Sequence, residues 1–74
     1  MEFKKMTLPG ILPGQKFTFY TAEGKKHAYA IEDAVGGGKI MKVFKKNLDG
    51  QDPDSRRTFM GTMEEMKRVA KALN

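Results

Sequence analysis

From Gln15 onward, apolar and polar positions alternate with a period of two. Phe17 and Phe19 fall on one side of an extended strand, with Lys16, Thr18 and Tyr20 on the other. Ala22, Glu23, Gly24 and Lys25 read as the following turn, with Gly24 as its left-handed residue. Residues 27–35 read as a second strand, in which Tyr29, Ile31 and Val35 share a face and Ala28, Ala30, Glu32 and Ala34 take the other. Gly36, Gly37 and Gly38 then turn the chain into a third strand over 39–46. A polar loop over 48–54, rich in turn formers, leads to a short fourth strand over 56–60.

From residue 62 the period becomes that of a helix. Thr62, Met63, Glu64 and Glu65 match a capping box, in which hydroxyl and carboxylate each satisfy the other residue's backbone N–H. Met63, Met66, Val69, Ala70 and Leu73 then form one apolar stripe. Glu64 and Glu65 fall in the first turn and Lys67, Arg68 and Lys71 further on, as the helix dipole favours. Ahead of the strands, Leu8-Pro9-Gly10 and Leu12-Pro13-Gly14 suit type II turns. Residues 8–14 therefore read as a loop, within a Pro/Gly-rich lead-in over 1–14 to a single β-β-β-β-α domain over 15–74. The expected class is α+β: a three- to four-stranded antiparallel meander with one C-terminal helix packed on one face.

Seventy-four residues allow one thin core. Hydrophobic content of 39% is too high for a wholly disordered chain, yet no apolar run is long enough to cross a membrane as a helix. The charged start has no apolar stretch behind it, so no secretory signal and a cytoplasmic location are expected. There is no cysteine, one histidine (His27) and one serine (Ser55). That excludes disulfides and thiolate zinc, and leaves no set of nucleophile, base and orienting group. Gly36–Lys39 is followed by Ile40 and a strand, which a phosphate loop does not allow. Asp49, Asp52 and Asp54 lack EF-hand spacing, and Glu32 and Asp33 point to opposite strand faces. Binding is expected rather than catalysis, with no cofactor and no metal.

Charge is what points to a partner. Fourteen Lys+Arg face nine Asp+Glu, a net +5, and nine of the lysines lie in residues 1–48, so the positive field belongs to the strands. On the third strand, Met41 and Val43 face the core with Lys39 and Lys45 at its rims. The other face interleaves Ile40, Lys42, Phe44 and Lys46. Rings that stack on unpaired bases, alternating with ammoniums that neutralise phosphates, suit single-stranded DNA or RNA. Lys16, Thr18 and Tyr20 extend this face, and Ala28 and Ala30 keep it flat. The expected contacts are Lys16, Lys42, Lys46, Arg56 and Arg57 to phosphates, and Tyr20 and Phe44 to bases. Lys25 and Lys26 add charge at a turn. The same residues also describe a solvated strand face, a hairpin tip, and an Arg pair balancing Asp49, Asp52 and Asp54. A second class of function fits them too: a protein-interaction module, of the phage-inhibitor or accessory-subunit kind, docked on an acidic partner surface. Met60, Met63 and Met66 read as core filler or as the edge of a helix-mediated homodimer.

Lys39-Ile40, Asp49-Gly50, Pro53, Arg56-Arg57 and Glu64-Glu65 together resemble the single-stranded-DNA-binding domain of the transcriptional positive-cofactor-four family. That resemblance implies several antiparallel strands, a C-terminal helix that pairs two chains, and sheet faces that grip single strands in transcription regulation. The run from Arg57 to Thr62 with its helix is also similar to the sheet-plus-helix duplex-DNA binders of recombinase arms and plant ethylene-response factors, which insert the sheet into the major groove.

Overall fold

A computed structural model describes residues 2–48 and 50–74. Strands β1 (Lys4–Pro9), β2 (Lys16–Glu23), β3 (His27–Asp33) and β4 (Lys39–Asn47) form an antiparallel meander. The far edge of β4 then pairs with β5 (Gly50–Gln51) and, after a 3-10 turn over Pro53–Ser55, with β6 (Arg57–Gly61). Helix α1 (Met63–Leu73) closes the chain. The class is α+β with one C-terminal helix, but the sheet has six strands where three or four were expected.

The extra strands arise where local signals mislead. β1 occupies Lys4–Pro9, so Leu8 and Pro9, read as part of the looped lead-in, belong to the sheet. Pro9 is tolerated because it ends an edge strand, where its missing N–H breaks no ladder. The loop proper is Gly10–Gln15. Its second Pro-Gly pair forms the expected type II turn: Gly14 has φ 79°, and Gln15 N–H donates to the Leu12 carbonyl at 3.1 Å. The first pair does not, since Gly10 is not left-handed. Gly24 is not left-handed either. A Cβ there would meet the Asn74 side chain and displace it from its bond to Lys25 N–H. β3 stops at Asp33, which leaves Val35 fully exposed in the glycine turn instead of on the core face. Asp49 lies outside the described residues.

One face of the sheet carries the core. Ile31, Met41 and Val43 are fully buried there, joined by Ala22, Tyr29 and, from the helix, Met66 and Ala70. Met63, Val69 and Leu73 pack around them, as do Phe3, Tyr20 and Phe59. Each large side chain so buried contributes about 1.5–3 kcal/mol. The apolar stripe of α1 is thus occupied by the chain's own sheet, and the exposed helix residues are mostly charged, among them Glu64, Lys67, Arg68 and Lys71. The Tyr29 hydroxyl donates to the Ala70 carbonyl at 3.2 Å inside this layer, and burial pushes its phenol pKa up.

Both ends of the helix are tied. Glu65 N–H donates to Thr62 Oγ1 at 3.1 Å, and Thr62 N–H donates to Glu65 Oε1 at 2.9 Å, completing the capping box. At the other end Asn74 N–H donates to the Ala70 carbonyl, and its side-chain oxygen accepts from Lys25 N–H at 2.7 Å. The hydrogen bonds with Thr62 hold the Glu65 carboxyl below its ordinary range. A lowered folded-state pKa stabilises the fold above the unfolded-state pKa, and that contribution is lost as pH falls through the folded-state value. Glu65→Ala is therefore expected to melt below the wild type at pH 7, with the gap closing in acid. Thr62→Ala is expected to cost about 1 kcal/mol at neutral pH, both read from thermal melts by circular dichroism.

Candidate nucleic-acid interface

The face without the helix is built by strand alternation. Ala28 stands opposite Phe44, Ala30 opposite Lys42, Met6 opposite Phe19 and Leu8 opposite Phe17. All eight point away from α1, because Tyr29, Ile31, Met41 and Val43 point into the core, as do Tyr20 and Ala22, which set the parity of β2 and its partner β1. The small side chains of Ala28, Ala30 and Thr21 leave a hollow of about 700 Å³, also lined by Lys4, Glu23 and Phe44. Ala28 is only 4% exposed although no helix covers it. Its cross-strand neighbour Phe44 lies within side-chain reach and forms one wall of the hollow.

Lys42, Phe44 and Lys46 occupy this face as expected. Both lysines have partners on it: Lys42 Nζ lies 3.0 Å from Glu32 Oε1, and Lys46 Nζ lies 3.4 Å from Glu23 Oε2 and donates to the Gly24 carbonyl at 3.2 Å. Lys16 and Tyr20 are not on this face, which corrects the expected alternation of β2. The parity of β2 is set where it crosses the core: Tyr20 stands opposite Ile31 and the buried Ala22 opposite Tyr29, so even-numbered positions face the helix. Tyr20 packs on the core, and Phe17 and Phe19 take the open side in its place. Arg57 also lies on the helix side, at the sheet's edge, with its guanidinium carbon 5.2 Å from the Phe59 ring centre. Arg56 is exposed just before β6, and Lys25 and Lys26 are exposed in the β2–β3 turn.

Register brings together what the sequence scatters. Lys4 opens β1, Lys25 and Lys26 precede β3, Lys45 and Lys46 lie near the end of β4, and Arg56 and Arg57 lead β6. In an antiparallel meander these positions share one end of the sheet. Seven cations meet there, against Glu2, Glu23, Asp52 and Asp54 among the described residues. Lys4 and Lys45 belong to this cluster and were missed. Their signal is position at strand ends, which becomes readable only once strand order is known.

His27 starts β3 beside Tyr29, with ring centres 6.2 Å apart, and its Nδ1 is buried without a hydrogen-bond partner. Among the described residues no group of three His, Cys, Asp or Glu is placed to hold a metal ion, and no helix is long and apolar enough to cross a membrane. No protein-family model, curated protein or solved structure matches this chain.

Proposed function

We propose that this chain is a nucleic-acid-binding module that prefers single strands. The strand would lie in the hollow over Ala28 and Ala30, stack on Phe44, and be held by the cations at the sheet's basic end. The observation that carries this reading is the one-sided architecture: α1 covers a single face, and the other holds an aromatic-walled hollow that opens toward the sheet's basic end. An aromatic wall beside small side chains accepts unpaired bases, whose π-faces stack without regard to sequence. The ion pairs of Lys42 and Lys46 do not oppose it. Exposed pairs of this kind are worth only about 0–1 kcal/mol, so exchange of a carboxylate for a phosphate costs little.

Fluorescence anisotropy with a labelled single strand and its duplex, at several salt concentrations, tests the reading. With Lys25, Lys26, Lys46 and Arg56 on phosphates, log affinity for the single strand is expected to fall against log salt with a slope of about −3. A flat salt response, or a clear preference for the duplex, would overturn it.

A further inference from the structure

The β1–β2 ribbon runs past the rest of the sheet. β2 pairs with β3 only from Tyr20 to Glu23, while β1 stays paired with it down to Pro9 and Lys16. Four residue pairs therefore overhang, about 13 Å, before the Gly10–Gln15 loop begins. The end of this arm is apolar: Ile11 is 93% and Leu12 66% exposed, and Leu8 and Phe17 behind them are about half exposed. It is also ordered. Gly10 N–H donates to the Gln15 carbonyl at 2.6 Å, Gln15 N–H donates to the Leu12 carbonyl at 3.1 Å, and Leu12 N–H donates to the Gln15 side-chain oxygen at 3.2 Å. Pro9 and Pro13 stiffen it further.

An apolar tip projecting into solvent marks an insertion or docking element. Charge selects its target. From Phe3 to Ala22 the ribbon carries no carboxylate, with Lys16 beside the tip and Lys4 and Lys5 at its other end, so two ribbons repel and a polyanion with an apolar interior attracts. A stack of bases and an anionic bilayer both meet that description. The stack is favoured because the main cation cluster lies at the opposite end of the strands, where it would be held away from lipid headgroups. The ribbon's Leu8 and Phe17 also lie on the same face as Phe44 and Lys42.

We infer that the ribbon tip is a wedge that enters the base stack where a single strand leaves a duplex. The favoured ligand is then a single-/double-strand junction. This rests on the single-strand reading above: the strand held across the open face emerges at the tip, where Ile11 and Leu12 press on the last base pair. Apolar wedges of this kind unstack base steps, at least cost where pairing already ends.

The test uses the full chain with three labelled DNAs: a single strand, a blunt duplex, and a fork carrying that single strand as an overhang with 2-aminopurine at the junction. The fork is expected to bind about tenfold tighter than the single strand, with a rise in 2-aminopurine fluorescence. The double variant Ile11→Ser/Leu12→Ser is expected to abolish both effects, while its single-strand affinity stays within about twofold and its melting temperature is unchanged. Equal wild-type affinity for fork and single strand, or a fork preference that survives in the variant, overturns the wedge alone. Failure to bind the single strand at all overturns the underlying reading as well. Wild-type binding to phosphatidylserine vesicles that is lost in the variant, with no fork preference in either, assigns the tip to a membrane instead.

Discussion

Ile31→Ala is expected to lower the melting temperature by at least about 10 °C and to populate the unfolded chain near 37 °C. Ile31 is fully buried at the centre of the core layer, opposite Tyr20 on β2 and Met41 on β4. Alanine there removes the buried methyl groups and leaves a cavity that the two flanking strands cannot close without breaking register. Such truncations cost about 2–5 kcal/mol, and a chain of this length holds only about 4–11 kcal/mol in total. Val35→Ala is the matched control. Periodicity placed Val35 on the same face as Ile31, but the residue is fully exposed, so the change should stay within about 0.5 kcal/mol. Thermal melts followed by circular dichroism separate the two. Equal effects of the two substitutions would contradict the described core.

The second large effect concerns the open face. Phe44→Leu is expected to weaken single-strand binding by about tenfold while leaving the fold intact. Leucine still shields part of Ala28, and Phe44 is only half-buried, so the fold loses little packing. It has no ring, however, and a base stacked on a ring gains about 1–3 kcal/mol. Neutralising Lys67 and Lys71, on α1, is the control and should cost less affinity than neutralising Lys25 and Lys26. If Phe44→Leu binds as tightly as the wild type, the hollow is not a stacking platform.

What could be read directly from the chain is what depends on neighbours in sequence. The capping box of Thr62 and Glu65 and the stripe from Met63 to Leu73 are local, and both are present as expected. The two faces of β4 were also legible, because Met41 and Val43 are the more apolar set on a strand buried on one side. β2 failed the same test. Phe17 and Phe19 are its largest apolar residues, but they lie on the overhanging half, where there is no core to enter. The smaller Ala22 and the amphipathic Tyr20 fix the parity because they cross Ile31 and Tyr29. β1 shows the period of two, with Lys4, Met6 and Leu8 on one side, but its paired lysines and Pro9 hide it. The basic end is a property of topology: Lys25, Lys45 and Arg56 become neighbours only when three strand ends meet.

Backbone amide shifts in a 15N-labelled sample, titrated with a short single-stranded oligonucleotide, locate the bound strand most directly. The largest changes are expected at Ala28, Ala30, Phe44 and Lys46, with Lys25 and Lys26 beside them. If they fall instead on the outer surface of α1 from Glu64 to Lys71, or if no amide moves, nucleic acid does not occupy the uncovered side of the sheet.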